Sequence, residues 1–314
     1  MQSVLITGGA GFIGSHLCDY LIEKGYKVIA LDNLLTGSKK NIERLLGNPN
    51  FEFIEADVTM QAAISSVPHV DFIFHLASPA SPIDYQAHPE ETLLTNSIGT
   101  LNMLNLAKDK KAKILITSTS EVYGDPKEHP QKETYFGNVN SFGPRACYDE
   151  SKRFSEAATY VFLEKYDVDA RIIRIFNTYG PRMQKDDGRV VSNFINNALE
   201  GKELNIDGDG SQTRSFCFVS DMVEGIFKAV FSDNTRGQIF NLGNPDEYEV
   251  KELASKVLIL AGSKSKIEYN GKFRIDDPMR RQPDITKAKQ ILGWEPKVDL
   301  EEGLQKTIEY YKSL

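Results

Sequence analysis

Cysteine, histidine and tryptophan are scarce in this 314-residue chain, and each scarcity removes a class of function. The three cysteines, Cys18, Cys147 and Cys217, form no CxxC pair and leave an odd thiol, which argues against a disulfide framework and for reduced thiols in the cytoplasm. The five histidines, His16, His69, His75, His88 and His129, have no metal-ligand spacing, so no metal is expected. Long apolar runs are also missing: none approaches the ~20 residues of a membrane span. The amino terminus enters an apolar strand at Val4 without a basic segment or a long apolar helix, so neither secretion nor membrane attachment is expected. Nor is there an excess of positive charge. A formal net charge of −7 and a pI near 5.4 disfavour nucleic acid or an anionic membrane as the main partner, while a local basic pocket for a small anion stays compatible with them. Repeats, low-complexity tails and long linkers are absent, which favours a compact enzyme over a modular adaptor.

What is present is an alternation of short apolar strands and longer helices. Strands are expected at 3–7, 27–31, 51–56, 70–75, 112–117 and 170–176. Helices are expected at 12–24, 90–108 and 146–165, with a broken helix near 39–46 and a long loop over 122–142. This is the doubly wound α/β pattern, a Rossmann fold with a parallel sheet whose strand ends meet a ligand. Helical 189–200, a short strand at 203–207, a Gly/Asp turn at 207–210 and a run holding the packing anchor Trp294 suggest a smaller carboxyl-terminal lobe. The division expected is 1–176 for the dinucleotide and 177–314 mainly for substrate, with a return to the first unit near 215–243, where 238–242 reads as a strand.

Gly8, Gly11 and Gly14, with Phe12 and Ile13 between the last two, directly follow the first strand and open the first helix. That context marks a turn where backbone, pyrophosphate and sheet approach closely. Asp32 ends the next strand and can accept hydrogen bonds from an adenosine ribose while repelling an added phosphate, so NAD is expected over NADP. Asn33, Thr36 and Gly37 follow it, and Asp57 and Val58 are expected beside adenine. Tyr148 and Lys152, one helical turn apart, can face the same ligand, and a cationic amine beside a phenol favours its phenolate. Tyr148 then serves as base while hydride leaves the same carbon, with Ser120 or Thr119 sharing the hydrogen bond and Lys152 holding the ribose. Glu121 follows Ser120 rather than a second acid, so the adjacent Asp-Glu pair that would serve elimination of a sugar hydroxyl is absent. Arg145, Arg174, Arg182, Arg189, Arg214, Arg280 and Arg281 fall in or near expected loops, where guanidinium forks can converge on phosphates or a carboxylate. Arg214 is the leading diphosphate ligand and Arg281 the leading catalytic arginine. Asn177 and Tyr85 are expected to touch the diphosphate and the sugar.

The chain resembles the extended short-chain dehydrogenase/reductases, and within them the UDP-glucuronic acid decarboxylases. The strings carrying the resemblance are 76–82 (LASPASP), 119–126 (TSEVYGDP), 143–150 (GPRACYDE), 187–194 (DGRVVSNF) and 281–284 (RQPD). The resemblance implies a cytoplasmic homodimer with tightly held NAD that turns UDP-glucuronate into UDP-xylose and carbon dioxide, recycling the nicotinamide internally. Leu35, Leu76, Ser78, Thr178 and Arg189 would join the cofactor contacts. Tyr148 would deprotonate the carbon 4 hydroxyl, and Glu121 and Arg281 would position the sugar and manage charge or the later proton at carbon 5. Membrane-anchored relatives carry an extra amino-terminal segment, and this chain is similar to their soluble counterparts. A UDP-sugar 4-epimerase and a non-catalytic NAD-binding regulator are the alternatives.

Overall fold

A computed structural model describes residues 1–272 and 278–314. The first strand, β1 (Ser3–Thr7), is fully buried from Val4 onward, as a central parallel strand covered on both faces must be. It leads through the glycine turn into α1 (Phe12–Glu23) and then β2 (Lys27–Asp32). The stretch expected as a broken helix near 39–46 is two single 3₁₀ turns, Lys39–Asn41 and Glu43–Leu45. Next come β3 (Phe51–Glu55), a short α2 (Gln61–Ser65) and β4 (Phe72–His75). Ser81 caps α3 (Pro82–Ala87) by accepting the Asp84 amide, and Pro82 fits its first position, where no amide is needed.

The helix expected over 90–108 is three consecutive pieces: α4 (Pro89–Leu94), a widened turn at Thr95–Gly99, and α5 (Thr100–Lys110). After β5 (Lys113–Thr119) the chain tightens into one 3₁₀ turn, Ser120–Tyr123, before the long loop. The 21-residue α6 (Ala146–Tyr166) follows Pro144, and β6 (Ala170–Ile175) completes the first half.

The second half adds β7 (Thr178–Tyr179), α7 (Val190–Leu199), β8 (Leu204–Ile206), β9 (Thr213–Ser215), β10 (Cys217–Phe218) and α8 (Val219–Phe231). It then gives β11 (Ile239–Leu242), β12 (Glu247–Glu249), α9 (Val250–Ala261), β13 (Ile267–Tyr269), β14 (Arg280–Arg281) and α10 (Leu300–Lys312). The strand β11 returns to the main sheet, pairing Leu242 with Ile175 of β6. That sheet has seven parallel strands in the order β11-β6-β5-β4-β1-β2-β3. Strand order reverses between β1 and β4, and Thr7 lies opposite both Leu31 and His75, so these strand ends share one level at the reversal, where a ligand crevice forms in such sheets. One face packs on α1 and α8, the other on α5 and α6. Trp294 is buried against α8, its indole donating to the Asp221 carbonyl at 2.9 Å. A small sheet, β12-β9-β14, carries Arg214 on β9 beside Arg281 on β14. Asp277, at the start of the run that leads to Arg281, lies outside the described residues.

Candidate active site

A cleft of about 350 Å³ runs from the ends of β1 and β2 across β5 to the β9–β14 pair. At one end lies the glycine turn. A Cβ on Gly14 would sit 2.0 Å from the Gly8 carbonyl oxygen, and one on Gly8, whose φ is +70°, 2.8 Å from the Ala77 amide. Glycine alone lets the turn close this tightly and leave the first amides of α1 open to an anion. Asp32 lines the same end. Its Oδ2 accepts the Ala10 amide at 3.0 Å and its Oδ1 the Leu34 amide at 2.8 Å, so the carboxylate both ties the turn and keeps lone pairs for ribose hydroxyls. Burial raises its pKa, and the amides of Leu34, Ala10 and Gly11 oppose that rise. These features fit an adenine dinucleotide.

Asn33, Leu35, Thr36, Gly37, Val58, Leu76 and Ser78 all line this half of the cleft. The lining does not include Asp57. Its Oδ2 accepts the Asn33 amide group at 2.8 Å and its Oδ1 both Thr59 donors, so it orients Asn33 rather than facing a ligand.

At the middle of the cleft, β5 delivers Thr119 and the turn after it delivers Ser120 and Glu121, while α6 presents Tyr148 and Lys152. The Thr119 hydroxyl, rather than that of Ser120, lowers the Tyr148 phenol by hydrogen bonding against the rise that burial gives it. Lys152 donates to the Thr117 carbonyl at 3.0 Å and lies 5.8 Å from the Tyr148 ring centre. The expected cation-stabilised phenolate is not what this arrangement produces. Burial pushes Tyr148 up to about 12, and burial pulls Lys152 down to about 7, because both groups share one dry wall.

Ser120 instead belongs to Arg281. The Arg281 guanidinium, 1% exposed, donates from Nη1 to Ser120 Oγ at 2.9 Å and Glu121 Oε1 at 2.7 Å, and from Nη2 to the Gly124 carbonyl at 2.9 Å. Glu121 Oε2 takes a further guanidinium bond from Arg145. Burial would raise Glu121, but Arg281, then Arg145 and Arg214, hold it well below the usual carboxylate range. Arg145 also faces Asp149, Nε to Oδ2, at 3.9 Å. Three buried polar atoms at this corner have no hydrogen-bond partner among the described residues: Tyr85 Oη, Arg281 Nε and Asp149 Oδ1. The Tyr85 ring stacks on Tyr148, centres 5.0 Å apart and planes within 6°.

Asn177, Thr178, Arg189 and Arg214 complete the wall. Arg189 is held by Asp187 through Nε at 2.5 Å and Nη2 at 2.7 Å. Of the other arginines, Arg145 and Arg182 join the wall. Arg174 turns to Glu156 and Tyr123 away from it, and Arg280 is exposed. Sequence reasoning did not single out Gln184 or Asp149. Arg182 reaches Asp19 at 2.7 Å and Ser15 of α1 at 3.3 Å. The i, i+4 spacing of Arg145 and Asp149 around Tyr148 was the one available signal for the last.

The family description "GDP-mannose 4,6 dehydratase" matches residues 5–307. UDP-glucuronic acid decarboxylase 1 of Xenopus tropicalis is 53% identical over 311 residues, 99% of this chain and 72% of that one. The chain belongs to the UDP-glucuronic acid decarboxylases. Among solved structures, a Thermotoga maritima UDP-glucose 4-epimerase with UDP-glucose superposes with a TM-score of 0.91 at 33% identity, covering 99% of both chains. The UDP-glucuronic acid 4-epimerase of Bacillus cereus, in complex with UDP-glucuronic acid and NAD, gives 0.89 at 28% identity, again covering 99% of both. The family thus shares its scaffold with a UDP-glucose 4-epimerase and a UDP-glucuronic acid 4-epimerase, so the fold by itself does not separate these activities.

Proposed function

We propose that the protein converts UDP-glucuronate to UDP-xylose and carbon dioxide with bound NAD. The observation that carries this reading is Glu121 clamped between Arg281 and Arg145, with Ser120 in place of a second acid, facing the Tyr148–Thr119 pair across one cleft. Bound NAD would supply the hydride acceptor and, once reduced, the hydride donor. Glycine-turn amides and Asp32 would hold its adenosine half, and Lys152 and Arg189 would hold the nicotinamide end.

Tyr148 takes the proton of the carbon 4 hydroxyl, Thr119 keeping the phenol oriented. The resulting ketone is β to the carboxylate, so loss of carbon dioxide leaves an enolate whose charge Arg281 can stabilise. The unpartnered Tyr85 hydroxyl and Arg281 Nε are donors suited to sugar oxygens or the carboxylate. Arg214 and Asn177 would bind the diphosphate. Tyr148 finally returns its proton as the ketone is reduced. Residues 1–176 with the returning strand would carry the cofactor, and 177–314 mainly the sugar nucleotide.

A homodimer is part of the proposal. Exposed Leu94 and Ile98 on the α4–α5 segment and Phe154 and Val161 on the adjacent α6 form an apolar face suited to a second copy. The odd number of free thiols and the acidic pI support a cytoplasmic setting, and no described helix is long and apolar enough to cross a membrane.

Incubation of the purified protein with UDP-glucuronate, followed by NMR and mass spectrometry, tests the activity. UDP-xylose without stoichiometric NADH is expected. UDP-galacturonate as sole product would establish an epimerase, and no conversion would refute both.

A further inference from the structure

The reaction proposed above consumes a proton. The carboxylate leaves as neutral carbon dioxide, its electron pair stays on carbon 5, and one proton must bond to that carbon. Glu121 is poorly placed to store this proton, because Arg281 and Ser120 occupy one of its oxygens and Arg145 the other. Asp149 is placed differently. It is a second carboxyl of the same cluster, lies behind Arg145, is outside the cleft lining, and has Oδ1 buried without a partner.

We propose that Asp149 is a positioning residue that holds the proton of this balance: it takes up one proton as the glucuronate carboxylate settles beside Arg281, and once that carboxylate has left as carbon dioxide it gives the proton up, which passes by way of solvent water to carbon 5. This rests on the decarboxylase reading. The groups facing Asp149 make it responsive. Glu121, from the turn after β5, repels its charge, as does Glu150 on its own helix, while Arg145 and Arg281 attract it. Tyr85 of α3 lies in the same field. The start of α6 favours an anion, yet burial first and Glu121 second push Asp149 up to about 7. One more negative charge in the cleft draws on the guanidiniums that offset Asp149, so the proton goes to the remaining carboxyl oxygen that no donor occupies. UDP-xylose, lacking the carboxylate, applies no such pull.

Calorimetric titration of Tyr148→Phe holoenzyme at pH 7.5, in buffers of different ionisation heat, measures protons taken up with ligand without turnover. Uptake of about three-quarters of a proton is expected for UDP-glucuronate, since a group titrating at about 7 already holds part of its proton at that pH, and none for UDP-xylose, with the uptake lost in the added Asp149→Asn variant. In wild-type enzyme, KM for UDP-glucuronate should rise towards ~10-fold per pH unit above about 7 while kcat holds. In the single Asp149→Asn enzyme that rise should disappear. A merely structural Asp149 would leave both slopes equal. Binding of UDP-glucuronate without uptake, or uptake that survives Asp149→Asn, overturns this proposal alone. Failure of UDP-glucuronate to bind while UDP-xylose binds overturns the decarboxylase reading with it.

Discussion

Tyr148 and Lys152 reach the cleft with their ordinary ionisations displaced in the unhelpful direction, the phenol up to about 12 and the amine down to about 7, both by burial. Tyr148→Phe removes the ionisable oxygen while keeping the ring that stacks on Tyr85, so fold and NAD retention should survive and turnover should fall about 100- to 10,000-fold in a steady-state assay. Asp32 belongs to the same scale. Its carboxylate would repel the extra phosphate of NADP, so apo protein should bind NAD at least ~10-fold more tightly, about 1.4 kcal/mol. Paired titrations after stripping retained cofactor check this, and equal affinities would refute it. Arg281→Lys keeps a charge but cannot span Ser120, Glu121 and the Gly124 carbonyl together. Rapid mixing should show carbon dioxide release slowed more than hydride transfer. Equal rates for both would return Arg281 to a packing role.

Arg281 is aimed by the long loop after β5 as well as by its own strand. Gln131 of that loop, fully buried, exchanges backbone hydrogen bonds with Gln282 and Asp284, and its side chain accepts the Gln282 amide at 3.0 Å. Gln131→Ala should strand that amide, costing roughly 1–3 kcal/mol in urea unfolding, and should lower kcat without changing NAD affinity. The contrast with the sequence is instructive at this level. The glycine turn, Asp32 and the Tyr148–Lys152 pair were legible because each is a short string at the end of an element with a clear period. The clamp on Glu121 was not, since its arginines lie 24 and 160 positions away. Strands of two or three residues such as β9 and β14 have no period to read. The reading of 177–314 as mainly a smaller lobe also misses α8, although Val219, Met222, Val223, Ile226, Ala229 and Val230 mark one buried face at helical spacing.

At the scale of the whole molecule, two buried histidines weaken the fold in acid, working against Asp149, whose raised pKa acts in the opposite sense. Burial pulls His75 down to about 3, with Lys152 adding to the effect, and burial with Arg182 pulls His16 down to about 4. Both are neutral in the fold, whereas the unfolded chain protonates near 6.5. Below that pH the unfolded state therefore binds protons that the fold excludes, and stability falls as pH drops from 6.5 towards 3–4. By pH 5 His75 alone should account for roughly 2 kcal/mol. Unfolding midpoints measured from pH 7 to 5 should decline, and His75→Asn should flatten the decline. An unchanged slope in that variant would place the loss elsewhere.

The returning strand β11 gives the molecule a schedule. The sheet's last strand lies outside the amino-terminal half, so during synthesis β6 emerges with one edge open and stays so until Leu242 has left the ribosome. At about 5–20 residues per second that interval lasts several seconds. Throughout it an apolar parallel edge is exposed to neighbouring nascent chains, a hazard that ends only when the later half of the polypeptide closes it.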